Sequence, residues 1–214
     1  MALTFVPDLP VLAAFVLASI VLGITPGPDM TFFLSKTVAQ SRKAGFAAFA
    51  GASTGIAVHT ALVALGLSAL LAASATAFTI LKVVGAAYLA YLAYDAIKHG
   101  SSLSLAAGSK PEPLHTIYMK GLLINLLNPK IIIFFVTFLP QFVSATDPHV
   151  PGKLLFLGAV FMLINLPLCS ALILAAERIA AALKGSSRAT RLVDWIFAGV
   201  LGAFAVRLIL AHGR

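Results

Sequence analysis

Hydrophobic residues in this chain fall into six long blocks, with polar residues collected in the stretches between them. The blocks run roughly from Leu9 to Ser35, Ala44 to Ala72, Thr76 to Ile97, Ile117 to Phe142, Lys153 to Ala176 and Val193 to Leu210. Each is long enough, at about 18–20 residues or more, to carry an α-helix across a bilayer core. The pattern predicts an all-α integral membrane protein with six transmembrane helices. Two of the blocks, the first and the fourth, are interrupted near their centres.

The first interruption is Thr25-Pro26-Gly27-Pro28-Asp29. Pro26 removes the helical hydrogen bond to the Leu22 carbonyl, and Pro28 removes the one to Ile24. Thr25 and Gly27 each precede a proline and are pushed out of the α region. Pro28 suits the first turn of a new half-helix, with Asp29 at its positive end. The second interruption is Asn128-Pro129-Lys130, in which Asn128 is a good N-cap and Pro129 a good first helical residue. Non-helical backbone at membrane depth survives only where it is buried in protein or lines a wet cavity. The two breaks therefore predict a cavity, and the cavity predicts transport.

The longest connection, Lys98 to His115, is rich in Ser, Gly, Pro and charge and divides a single domain (1–214) into two halves, about 1–97 and 116–214. The halves resemble each other. Gly45-x-x-x-Phe49-x-Gly51-Ala52 opens the second block and Gly152-x-x-x-Phe156-x-Gly158-Ala159 the fifth, while Pro28-Asp29 with Phe32-Phe33 matches Pro129-Lys130 with Phe134-Phe135. Three spans per half is an odd number, so the second half inserts upside down. This is the inverted-repeat plan of secondary transporters, with broken helices 1 and 4 meeting near the midplane. Chance similarity among Ala/Gly/Phe-rich spans is the alternative, and the paired proline breaks weigh against it.

Composition agrees: 60% of the 214 residues are hydrophobic and 10% charged, with a mean hydropathy of +1.02. The net charge of +8 comes without a basic face or an aromatic-interleaved basic patch, so nucleic acid is not an expected partner. Loop charges explain it better. Ten Lys/Arg (Lys36, Arg42, Lys43, Lys98, Lys110, Lys120, Arg178, Lys184, Arg188, Arg191) fall on one side and four (Lys82, Lys153, Arg207, Arg214) on the other. The positive-inside rule then places the odd-numbered loops in the cytoplasm and both termini outside. The N-terminus lacks a basic n-region, so the first block is expected to stay as a span rather than be cleaved as a signal peptide. Cys169 is the one cysteine, which excludes an internal disulfide, and it reads as a small packing residue. No metal-type Cys/His cluster, phosphate loop or nucleophile elbow is present, so no metal, cofactor or enzymatic activity is expected.

Candidate chemistry concentrates at the breaks. Asp29 on one half-helix and Lys130 on the other are opposite charges at membrane depth, where a lysine costs roughly 2.5–3.5 kcal/mol and needs a partner or a ligand. Asn125 lies one turn before Asn128 on the same face. Thr25, Pro26, Gly27, Pro28, Asn125, Asn128 and Pro129 complete the expected substrate-binding set. A fixed Asp29–Lys130 ion pair holding the broken helices together is the plainer alternative, compatible with binding if substrate splits it. Gly51, Gly55 and His59 recur every four residues and face one way; the glycines read as close helix packing, as do Gly85 and Gly158. His59 is a structural histidine or a proton carrier. Asn165 and Pro167 form a weaker break in the fifth block.

With these motifs in place, the chain resembles the lysine-exporter (LysE/RhtB-type, homoserine-threonine resistance) family of bacterial amino-acid exporters. The resemblance rests on Thr25-Pro26-Gly27-Pro28-Asp29, Gly51-x-x-x-Gly55-x-x-x-His59 and Lys82-x-x-Gly85-Ala86-Ala87-Tyr88-Leu89. It continues through Gly121-x-x-x-Asn125-x-x-Asn128-Pro129-Lys130, Phe134-Phe135 and Pro140-Gln141-Phe142. It covers nearly the whole chain, although after Phe142 it is one of pattern more than motif. An aromatic or basic residue is implied after Tyr94; this chain has Asp95, a departure at the cytoplasmic mouth. The resemblance implies an inner-membrane exporter of amino acids or their derivatives driven by the proton gradient. Neutral or small polar substrates such as threonine, homoserine or leucine are favoured, because a zwitterion needs one acceptor (Asp29) and one donor (Lys130). Asp29 and His59 are the candidates for proton coupling. Substrate, lipid bilayer and protons are the expected partners, and a homo-oligomer remains open. A cation exporter would have a single carboxylate, which is poor provision, and a membrane-embedded enzyme has no constellation to work with.

Overall fold

The structure, a computed structural model, describes residues 5–67, 111–144 and 147–184, together with individual helical residues between 76 and 98 and between 191 and 206. All regular elements among the described residues are helical. Helix α1 (Leu9–Ile24) and helix α2 (Pro28–Ala39) meet at a bend of 51°. Helix α3 (Arg42–Leu62) runs on through a π turn, Val63–Leu67. Helix α4 (Leu114–Leu126) meets α5 (Pro129–Ile133), which continues through a π turn (Phe134–Phe138) and a 3₁₀ turn (Leu139–Phe142), at a bend of 50°. Helices α6 (Val150–Leu174) and α7 (Ala176–Lys184) follow. Arg42–Gly66 and α6 are each long and apolar enough to cross a membrane, and the two bent pairs make two further spans if each is taken as one. These are the first, second, fourth and fifth expected spans. The third and sixth lie largely outside the described residues.

Both breaks fall at the proline clusters, and local chemistry closes them. At the end of α1, Thr25 N turns back to the Leu22 carbonyl (3.2 Å) and the Thr25 hydroxyl donates to the Val21 carbonyl (2.6 Å). Gly27 is extended (φ −165°, ψ 176°) and caps α2, whose first residue is Pro28. At the second break the Asn128 side chain accepts from Lys130 N at 3.0 Å, and Pro129 opens α5. The weaker break expected at Asn165 and Pro167 does not form; α6 is continuous through both. A lone proline costs one hydrogen bond and a local bend, and Pro167 lies on the exposed side of the helix, where a long apolar helix absorbs both.

Glycines set the closest helix contact. A Cβ on Gly51 would collide with the Tyr118 carbonyl oxygen, and one on Gly121 with the Ala48 carbonyl oxygen, so α3 and α4 touch backbone to backbone. Gly55 lies against the Asn125 side chain and Gly158 of α6 against Thr60 of α3. Gly85 lies outside the described residues.

The apolar interior is split in two. One cluster joins α1, α5 and the first half of α6: Phe15, Phe134, Phe135, Phe138, Phe142 and Phe161 stack at centroid distances such as 5.1 Å (Phe15–Phe142) and 5.2 Å (Phe134–Phe161). The other joins α2, the start of α3 and α4 and the end of α6, around Phe33 and Phe49 (5.9 Å) with Leu34, Ile117 and Ile173. Between them lies the layer of polar residues that the breaks supply.

Candidate functional site

Asp29 and Lys130 are neighbours in this layer, but each has its own neutral partners. The two Asp29 oxygens are divided between two amides, with Asn125 Nδ2 donating to Oδ2 at 2.7 Å and Asn128 Nδ2 donating to Oδ1 at 2.9 Å. Asn128 thus caps α5 through its oxygen and holds Asp29 through its nitrogen. The Lys130 ammonium crosses to the carboxyl end of α1, donating to the Thr25 carbonyl at 2.9 Å and the Leu22 carbonyl at 3.5 Å. Both carbonyls lie at the negative end of a helix, and Leu22 O also accepts from Thr25 N. No direct Asp29–Lys130 ion pair forms.

The crossing is reciprocal. The start of α2 takes its donors from the end of α4, and the ammonium on α5 takes its acceptors from the end of α1. Gly27 belongs to this arrangement, because a Cβ there would stand 3.0 Å from Lys130 Nζ. Thr25, Asp29 and Lys130 border a cavity of about 50 Å³, together with Leu22, Met30, Phe33, Phe49, Ile56, Phe161, Asn165 and Cys169. Of the other residues expected to bind substrate, Asn125 and Asn128 act on Asp29 from behind the cavity wall, and Pro26, Gly27, Pro28 and Pro129 shape the backbone. A cavity of this size has room for water beside its polar groups.

Asn125 is fully buried, and its Oδ1, which faces Gly55, has no hydrogen-bond partner among the described residues. The Asn125 carbonyl oxygen lies 3.4 Å from His59 Nε2, and the His59 ring stacks on Phe135 at 5.9 Å. Asp29, Asn125 and His59 are therefore one contiguous polar string. Gly55→Ala would push Asn125 away from Asp29, and overpacking of this kind costs about 1–3 kcal/mol. Thermal melts of the purified protein in detergent should show the loss. Gly66→Ala, where no described atom lies within 4 Å, should not.

A second polar assembly, with no forewarning in the motifs, lies at the far ends of α2 and α4. Glu112, just before α4, accepts from Lys36 Nζ on α2 and from Lys120 Nζ on α4, each at 2.6 Å. Its backbone exchanges two hydrogen bonds with the Gln40 side chain: Gln40 Nε2 to Glu112 O at 2.8 Å and Glu112 N to Gln40 Oε1 at 3.0 Å. The signals in the sequence were Lys36 and Gln40 one turn apart, and an acid fixed between Pro111 and Pro113. The clamp stands about one Lys36-to-Asp29 helical interval, ~10 Å, from the cavity.

The hydrogen bonds from Lys120 and then Lys36 hold the Glu112 carboxyl below its ordinary value of 4.5. A carboxyl depressed in the folded state stabilises the clamp above its unfolded value and loses that contribution as pH falls through the folded value. The clamp should hold at neutral pH and open only in acid, and Glu112→Gln should reproduce the acid state at pH 7. Distances between spin labels at Val38→Cys and His115→Cys would show both.

The family model described as LysE type translocator matches residues 20–212. A homoserine/homoserine lactone efflux protein of Salmonella typhimurium is 29% identical over 172 residues, 80% of this chain and 83% of the relative. A leucine efflux protein of Enterobacter sp. strain 638 is 28% identical over 202 residues, covering 92% of this chain and 94% of the relative. An uncharacterised membrane protein of Vibrio cholerae is 34% identical over 158 residues, covering 74% and 77%. No solved structure matches the chain.

Proposed function

The chain belongs to the LysE type translocator family and is a multi-pass membrane transporter, and from this premise we propose that it exports neutral or small polar amino acids from the cytoplasm by proton antiport. The observation that carries the reading is that Asp29 and Lys130 border one cavity without neutralising each other. A zwitterion presents an ammonium and a carboxylate. Asp29 is an acceptor for the first and Lys130 a donor for the second. Each protein charge keeps neutral partners when the site is empty, which limits the cost of release. Relatives named for homoserine and leucine efflux support substrates of that size.

Coupling is assigned to Asp29, with His59, which contacts the backbone of the same Asn125 that holds Asp29, as the second candidate. Proton and substrate ammonium compete for the same carboxylate, the minimum requirement for antiport. The similar bends of 51° and 50°, each with proline opening the second half-helix, support two inverted repeats around the site. The inner membrane is the proposed location, with the Glu112 clamp on the cytoplasmic side and both termini outside. Cysteine labelling should find Ser102→Cys inside and Asp147→Cys outside; Asp147→Cys labelled only from the cytoplasm would reverse the orientation.

Loading cells with dipeptides and following amino acids inside and in the medium tests the function. Cells with the protein should lower one or a few internal pools and accumulate them outside, and a protonophore at constant ATP should stop uphill export. Equal external accumulation in cells lacking the protein would refute the assignment.

A further inference from the structure

We propose that Asn165 is the residue that reads the substrate side chain, and that it selects a neutral hydrogen-bond donor, a hydroxyl, over an aliphatic group of the same shape. This rests on the export reading above. Asn165 is on α6, lines the cavity and is 95% buried, from a relative exposure of 5%. Its Nδ2 donates to the Phe161 carbonyl at 2.9 Å. A carbonyl accepts only from the NH₂ side of an amide, so this bond fixes which way the amide is turned. The Oδ1 is left facing away from its own helix with no donor among the described residues.

The neighbouring helix makes room for that oxygen. A Cβ on Gly23 of α1 would collide with Asn165 Oδ1, so the amide occupies space that any other residue at 23 would fill. An acceptor beside a largely apolar cavity gains from a ligand or a water that supplies a donor. The described bonds of the Lys130 ammonium go to the Thr25 and Leu22 carbonyls and not to Asn165.

The division of labour follows from charge. A substrate ammonium gains more from the Asp29 carboxylate than from a neutral amide oxygen. The neutral acceptor is then left for a neutral donor, beside walls to which Phe161, Phe49 and Ile56 contribute apolar contact. A hydroxyl on a short side chain meets Oδ1; a methyl in its place leaves Oδ1 unpaired. Sites that hydrogen-bond a substrate group reject the analogue lacking it far more strongly than apolar pockets reject an added hydroxyl.

The test is the initial export rate of isosteric pairs, threonine against valine and homoserine against norvaline, in wild type and in Asn165→Leu. The wild type should favour the hydroxylated member of each pair by roughly tenfold or more. Asn165→Leu should bring the ratio towards one, with the loss falling on the hydroxylated member. Equal rates within each pair in the wild type, or an unchanged ratio in the variant, would overturn the role of Asn165 while leaving export standing. No export of any amino acid by the wild type would overturn the export reading itself, and this proposal with it. If Asn165→Leu fails to assemble, thermal stabilisation of the purified wild type by each member decides: greater stabilisation by threonine than by valine supports the proposal, and equal stabilisation refutes it.

Discussion

Asp29→Asn is expected to reduce uphill export to the level of cells lacking the protein while leaving the fold intact. The carboxylate accepts one amide on each oxygen, 2.7 Å from Asn125 and 2.9 Å from Asn128. An amide at position 29 has a single acceptor, so its NH₂ must face one of those two donors. Asn128 cannot turn to meet it, because its Oδ1 is committed to Lys130 N. Asn125 can, because its Oδ1 has no partner to lose. The substituted amide therefore finds a complement by one side-chain flip, and the charge that must give up solvent is gone. Melting temperature should change little. Exchange of labelled for unlabelled substrate across the membrane should persist in part, since it needs no net proton movement. Uphill, protonophore-sensitive export that survives unchanged in Asp29→Asn would remove Asp29 from the coupling scheme and leave His59 as the group to examine.

Lys130→Met separates the same two functions in the opposite sense. The ammonium is the partner that α5 supplies for the Thr25 and Leu22 carbonyls. Removing it leaves Thr25 O unpaired and weakens the turn at Leu22, at roughly 1–3 kcal/mol for a buried polar group left without a partner. The melting temperature should fall, and both exchange and export should be lost because the substrate carboxylate has no cation to meet. The combination Asp29→Asn with Lys130→Met is the decisive variant. If the two charges existed to neutralise each other, removing both would restore stability and export. Because each has separate partners, the double variant should be as unstable as Lys130→Met alone and as inactive as either. Recovery of full export in the double variant would mean that substrate and proton are handled elsewhere.

The breaks were legible because proline chemistry is local. A proline deletes a particular hydrogen bond whatever the rest of the chain does, so Pro26, Pro28 and Pro129 located the bends and Asn128 its own cap. The spans were legible because composition at this scale leaves few alternatives. Which polar group meets which was not. The sequence left an Asp29–Lys130 pair open, and the outcome depends on the register between α2 and α4, which brings Asn125 and Asn128 to Asp29. Pro167 looked like a break because the same local rule was applied without knowing that its side of α6 is exposed. Glu112 lay in what read as a loop, and only the approach of Lys36 and Lys120 from two helices gives it a task.

Among the described residues, the polar layer is flanked by contacts of different material, apolar rings on one side and an ionic clamp on the other. At one end six phenylalanines interleave; opening that end wets their rings, and apolar area costs about 25 cal/mol for each Å² exposed to water. At the other end the closure leans on ion pairs to Glu112, one of them through a half-exposed Lys120. Ion pairs with an exposed member are screened by salt and exchanged for water more readily than buried aromatic contacts. Of the two sides, the ionic one is the less costly to part, and Glu112 is where its opening would begin. In the proposed orientation that side faces the cytoplasm, and parting it would offer the empty site to the internal pool. On the export reading proposed above, a rise in internal amino acid would then be enough to start a cycle.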